Sequence, residues 1–184
     1  MITSRAVLRS LQREQNRRRR LAPLLVASVA AAVGALILGQ ASVRSFEADA
    51  AGFLAGRVTD APVTVFGGSV AVASGHGDWL RFIVTPECST VLLAVPFLVL
   101  CGVVLAVSLP SIRRWVTMLV VGSVLLLLIN LARLTVVISG TRMGSLELYP
   151  LLHSGVGTVI VLIGATFALI VSMRICFPGS SRES

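Results

Sequence analysis

Charge is what this sequence has least of. Only 13% of its 184 residues are charged, aromatics make up 5%, and with lysine missing all sixteen basic residues are arginine. A soluble domain carries about 25% charged residues, so this composition excludes one. The 55% hydrophobic content and a mean hydropathy of +0.92 are those of a polytopic membrane protein of one domain.

Cysteine and histidine are also few. Cys88, Cys101 and Cys176 form no Cys-x-x-Cys and no metal-ligand spacing with His76 or His153. That pattern argues against a zinc site or a thioredoxin-type pair, and nothing in it asks for a cofactor. The net charge of +8 has a local origin, because seven arginines precede residue 21: Arg5, Arg9, Arg13 and Arg17 to Arg20. No aromatic residues interleave them, so the tail reads as a cytoplasmic topology anchor on anionic lipid, with no nucleic acid as partner.

Long hydrophobic runs are what the chain has in abundance. Four of them, at about 21–40, 89–109, 115–138 and 152–175, approach or exceed the roughly 20 residues that cross a hydrocarbon core as helix. The first reads as an uncleaved signal anchor, since its apolar stretch is long enough to span. The organisation is then a basic tail (1–20), a single membrane domain (21–175) and a second tail (176–184). Eleven arginines lie in the N-terminal tail, the Arg113-Arg114 turn and the C-terminal end (Arg174 and Arg182), against four in the other connections (Arg44, Arg57, Arg81, Arg142). By the positive-inside rule both termini are cytoplasmic, and 41–88 and 139–151 lie outside a cytoplasmic membrane.

The outer segment 41–88 is too long for a simple connector. Phe46, Ala50, Phe53 and Leu54 fall at helical spacing, with Glu47 and Asp49 elsewhere on the wheel, which predicts a short surface helix over 42–56. Val63 to Phe66 and Ser69 to Val72 flank Gly67-Gly68, a hairpin signal, and Trp79 to Val84 reads as a third strand after a turn at Gly75 to Asp78. The expected fold is therefore all-α and polytopic, with four transmembrane helices and a small extracytoplasmic helix and β-meander between the first two.

The meander leads into Thr85-Pro86-Glu87-Cys88-Ser89-Thr90. With Thr85 as N-cap and Pro86 at N1, Cys88 falls in the first turn of the next helix, where free N–H groups favour a thiolate. Pro96 is expected to kink that helix, and Gly140 to end the third span. Near that end sit Asn130 and Arg133, polar groups three residues apart on one helix face. A guanidinium in a spanning helix costs about 2.5–3.5 kcal/mol at the centre on insertion scales, so it marks a cavity or a partner. His153 follows Tyr149-Pro150 in the first turn of the last span.

The topology puts Cys88, Arg133 and His153 at one depth on the outer side. A thiolate attacks a carbonyl, an imidazole takes the thiol proton and returns it to the leaving amine, and a fixed cation holds the oxyanion. Glu87 is a candidate for orienting His153 or Arg133. Cys101 reads as packing, Cys176 as an inert or lipidated residue near the inner surface, and His76 as an exposed turn residue.

Taken together, Glu87-Cys88-Ser89, Asn130-Leu131-Ala132-Arg133 and His153 followed by glycine resemble the exosortase/archaeosortase family of membrane cysteine transpeptidases, over roughly residues 80–175. The resemblance implies Cys88 as nucleophile, Arg133 as oxyanion or thiolate stabiliser and His153 as general acid and base, with Asn130, Glu87 and Ser89 supporting. It implies a membrane-anchored protein substrate with a C-terminal tripartite sorting signal, cleaved at the outer face and passed to a lipid or glycan acceptor. The chain departs from many members in having Thr90 after Cys88-Ser89, and it has fewer spans than the larger ones. Two other classes fit the composition: a non-catalytic membrane assembly subunit, in which Asn130 and Arg133 pair helices, and a small transporter component.

Overall fold

The computed structural model describes residues 23–24, 26–74, 77–108, 111–144 and 146–177. The basic tail over 1–20, His76, the Leu109-Pro110 stop and Arg182 lie outside the described residues. Among the described residues three helices are long and apolar enough to cross a membrane, or four if one bent pair counts as a single span. The protein is thus a helical membrane protein.

The bent pair is the first departure from the sequence reading. Helix α1 (Val26–Leu38) turns by 66° into α2 (Gln40–Thr59) with no connecting loop, the bend falling at Gly39. The expected surface helix is therefore longer, and it packs on the rest of the protein through its small residues. Glu47, Ala48, Ala51, Gly52, Ala55 and Thr59 are buried, while Phe46, Phe53, Leu54 and Val58 are exposed. Small residues decide this orientation, because a Cβ on Gly52 would lie 2.9 Å from Val65 Cγ2 of the sheet. Only a face without bulk admits the strands that closely.

Those strands are β1 (Val63–Phe66), β2 (Ser69–Ala73) and β3 (Trp79–Ile83), an antiparallel meander in the order β1-β2-β3. Gly67 and Gly68, at φ +49° and +86°, supply the two positive-φ positions of a tight hairpin turn. The pairing brings Val65, Val70 and Phe82 onto one face, toward α2. Phe66, Trp79 and Ile83 are exposed on the other strand positions.

After the meander come a 3-10 turn (Pro86–Cys88), then α3 (Thr90–Ser108), which contains Pro96 without interruption, and α4 (Ile112–Met143). Gly140 does not end α4. The helix runs one turn further and is capped at Gly144, which leaves Gly140 inside it against Leu152, where a Cβ would lie 2.9 Å from Cδ1. At about 1.5 Å per residue, 32 residues exceed a 30 Å hydrocarbon core, so α4 projects beyond it. The projecting end has a use: Arg142 donates from Nε to the Ala73 carbonyl (3.0 Å) and from Nη1 to the Thr59 carbonyl (2.9 Å), fastening the sheet and α2 to α4. A 3-10 turn (Leu146–Leu148) and a π-helical segment (Leu151–Val156) lead into α5 (Gly157–Cys176).

Two apolar clusters hold these elements. One is the bundle core around Phe97, Cys101, Trp115, Met118, Ala168 and Cys176, tied by a Trp115 Nε1 hydrogen bond to the Cys101 carbonyl (3.1 Å). The other joins α2, the sheet and the far part of α4 through Ala48, Ala51, Val70, Val72, Leu131 and Leu134, and includes Cys88. Within the bundle Gly122 is packed so tightly that an added methyl would meet the Phe97 ring and Ser172 Oγ. Gly122→Ala is expected to cost about 1–3 kcal/mol through overpacking, read as a lower unfolding temperature in detergent.

Candidate active site

Cys88 ends the 3-10 turn and does not lie in the first turn of α3, as its sequence suggested. Ser89 intervenes in an extended conformation (φ −86°, ψ 147°) and caps α3 instead. Its Oγ accepts the Val91 N–H at 3.3 Å and its carbonyl the Leu92 N–H at 3.2 Å. The Thr90 N–H goes to Glu47 Oε1 at 2.7 Å. The leading donors of α3 are therefore spent elsewhere, and the free N–H groups expected beside Cys88 are not there. Ser89 shapes the backbone beside the thiol and contacts it through no hydrogen bond.

What surrounds the thiol is a different set of groups. Cys88 is 4% exposed, and its Sγ lies 3.8 Å from His153 Nε2 and accepts from the Thr85 hydroxyl at 3.4 Å. Sixty-five residues separate the cysteine from the histidine, so packing alone makes this contact. His153 sits on the π-helical segment that opens the last span. The Gly157 N–H bonds to the Leu152 carbonyl five residues back, and such wide turns re-aim side chains. The imidazole is stacked on Tyr149, with ring centroids 5.3 Å apart and 15° between planes, and Tyr149 in turn meets Phe82 of β3 at 6.1 Å. Tyr149, the one tyrosine of the chain and one helical turn before His153, is the sequence signal for this support.

Arg133 is half-buried on α4 and packs against the start of α5, one turn beyond His153. The side chain crosses Gly157, where a Cβ would stand 3.0 Å from Arg133 Nε and 3.4 Å from Cγ. Its Nε–H is buried without a partner. No family model, curated protein or solved structure matches the chain. The chemistry of the site therefore rests on its own geometry.

Asn130 and Glu87 end up in unequal places. Asn130 is fully buried, and its Nδ2 donates both to the Cys88 carbonyl (2.8 Å) and to Glu47 Oε1 (3.0 Å). Glu87 is exposed; the Thr85 hydroxyl, and after it the backbone, hold its carboxyl below the ordinary carboxylate range. No hydrogen bond or ion pair joins it to His153 or Arg133 among the described residues, so the orienting role expected of it is not seen. Glu47, which the sequence places elsewhere on the wheel than Phe46 and Phe53, is fully buried behind the cysteine. Its signal was the row of small residues it shares, Ala48, Ala51, Gly52 and Ala55. Among the described residues there is no cluster of three or more His, Cys, Asp or Glu side chains arranged to hold a metal ion.

Proposed function

We propose that the protein is an exosortase/archaeosortase-like cysteine transpeptidase, acting on C-terminal sorting signals of membrane-anchored surface proteins at the outer face of the cytoplasmic membrane. The observation that carries this reading is the Cys88–His153 contact at 3.8 Å beside a cation whose Nε–H has no partner.

His153 Nε2, in the tautomer with its proton on Nδ1, takes the Cys88 proton, and the thiolate attacks the scissile carbonyl. The C–S bond forms as the carbonyl electron pair moves to oxygen, and Arg133 receives that oxyanion. Collapse expels the amine, which takes the proton from His153 and leaves a thioester on Cys88. A nucleophile on a lipid or glycan acceptor then gives its proton to His153, attacks the thioester and returns the thiol. The 3.8 Å separation is long for direct transfer and shortens when substrate orders the pair.

The test is mass spectrometry of a membrane-anchored candidate substrate bearing a C-terminal span and arginine cluster. A new C-terminus joined to the acceptor is expected with the wild-type protein and not with Cys88→Ala; normal processing by the variant would remove the mechanism. Orientation is checked separately. A small membrane-impermeant thiol reagent is expected to label Cys88 slowly from outside intact cells, because the thiol is 4% exposed. Labelling only after permeabilisation would overturn the proposed topology.

A further inference from the structure

The most heavily buried charge-bearing side chain near the site belongs to none of the three proposed catalytic residues. Glu47 has no exposed surface, sits on α2 forty-one residues before Cys88, and faces the point where α2, α3 and α4 meet. Its Oε1 accepts the Thr90 N–H at 2.7 Å and Asn130 Nδ2 at 3.0 Å. The same Asn130 Nδ2 group holds the Cys88 carbonyl at 2.8 Å. Glu47 Oε2 and Asn130 Oδ1 are buried with no partner. For stability alone this is a poor arrangement, since burying a carboxylate with an orphaned oxygen costs more than an apolar network of the same shape would.

From this geometry we infer that Glu47 is a positioning residue for the Cys88 nucleophile, an inference that rests on the cysteine–histidine reading of the site. Cys88 is anchored at both ends of one short segment. Its own carbonyl is held through Asn130, and the amide two residues on is held by Glu47 directly. Both restraints converge on one oxygen, Glu47 Oε1. Between them lies Ser89, in an extended conformation outside α3. The N–H of Ser89 bonds only back into the 3-10 turn, to the Pro86 carbonyl at 3.3 Å. With Oε1 removed, the Cys88 carbonyl keeps an asparagine that no longer has a fixed orientation, and the thiol loses its alignment on His153. The carboxylate touches neither sulfur nor imidazole and acts through the backbone.

The experiment compares Glu47→Leu and Glu47→Gln in the full-length protein in lipid nanodiscs. Alkylation of Cys88 by iodoacetamide is followed by mass spectrometry of the Cys88 peptide, alongside the unfolding temperature. Glu47→Leu fills the space without an acceptor and orphans the Thr90 N–H; its unfolding temperature is expected to fall, while Cys88 alkylates about tenfold more slowly for want of an aligned base. In a His153→Ala background the same change is expected to slow alkylation no further, because both substitutions disable one pair. Glu47→Gln keeps an oxygen acceptor and is expected to stay within about twofold of wild type.

Unchanged alkylation in Glu47→Leu overturns the inference, and so does faster alkylation, which marks a loosened segment and a merely structural role. An equal further slowing in the His153→Ala background overturns it as well. Should Glu47→Leu fail to fold, Glu47→Gln decides: wild-type alkylation sustains the inference and a tenfold loss overturns it. If the alkylation pattern is as expected while no sorting signal is cleaved by the wild type, Glu47 keeps its role and the peptide reaction is the part that fails.

Discussion

Cys88→Ala is expected to lower sorting-signal cleavage by on the order of 10⁴-fold, to the background of uncatalysed processing, with uncleaved substrate accumulating in the membrane. No neighbouring group replaces the thiol. Cys101 and Cys176 pack in the bundle core, in a different cluster from Cys88. Ser89 is 1% exposed and its oxygen is occupied in capping α3. Cys88→Ser is expected to be nearly as inactive, because a hydroxyl gives up its proton to His153 far less readily than a thiol does. Folding is little affected by either change. The alanine variant loses one buried sulfur and its contact with the Thr85 hydroxyl, on the order of 1 kcal/mol, so it is expected to insert and extract like the wild type. Quantifying substrate and product by mass spectrometry checks this, and wild-type turnover in the alanine variant would end the nucleophile assignment.

Arg133→Lys is the second large effect, a loss of about 10²–10³-fold in kcat, the scale for removing one oxyanion donor. The charge is conserved and the shape is not. Arginine passes its stem across the bare backbone of Gly157 and presents a planar fork whose Nε–H is already desolvated and unpartnered. A lysine ammonium is a compact, strongly hydrated point charge without the Nε donor, and from a half-buried position its flexible stem carries it toward water. The expected signature is a fall in kcat with KM changed little, since the lost interaction forms only as charge develops. Full turnover by Arg133→Lys would mean that this arginine serves only to anchor α4 at the membrane surface.

Some of this was legible in the residues. Low charge and long apolar runs give the spanning helices, because a segment without charges has no stable place in water and one of 20 residues matches the bilayer. Helix ends were read less well. Gly140 predicts a stop and lies within α4, since glycine there serves close approach to Leu152 rather than a left-handed cap. The turn at Cys88 predicts a helix starting at Pro86, and the extended Ser89 moves that start four residues on, to Thr90. Both errors have one cause: a local signal such as Pro or Gly fits several backbone solutions, and distant contacts choose among them.

Composition and arginine placement therefore determined by themselves that this is a helical membrane protein and that Cys88, Asn130, Arg133 and His153 are its chemically unusual residues. Those are properties of a chain against its solvent, summed over segments. Only the tertiary structure decided which side chains meet. It set His153 on a π-helical turn facing Cys88, backed the ring with Tyr149, left Glu87 in solvent and turned Glu47 inward. The last of these rests on α2 presenting its smallest residues to the sheet, so that a buried carboxylate came with the face that packed best. Such a choice depends on the shape of what lies opposite, which the sequence of α2 does not contain.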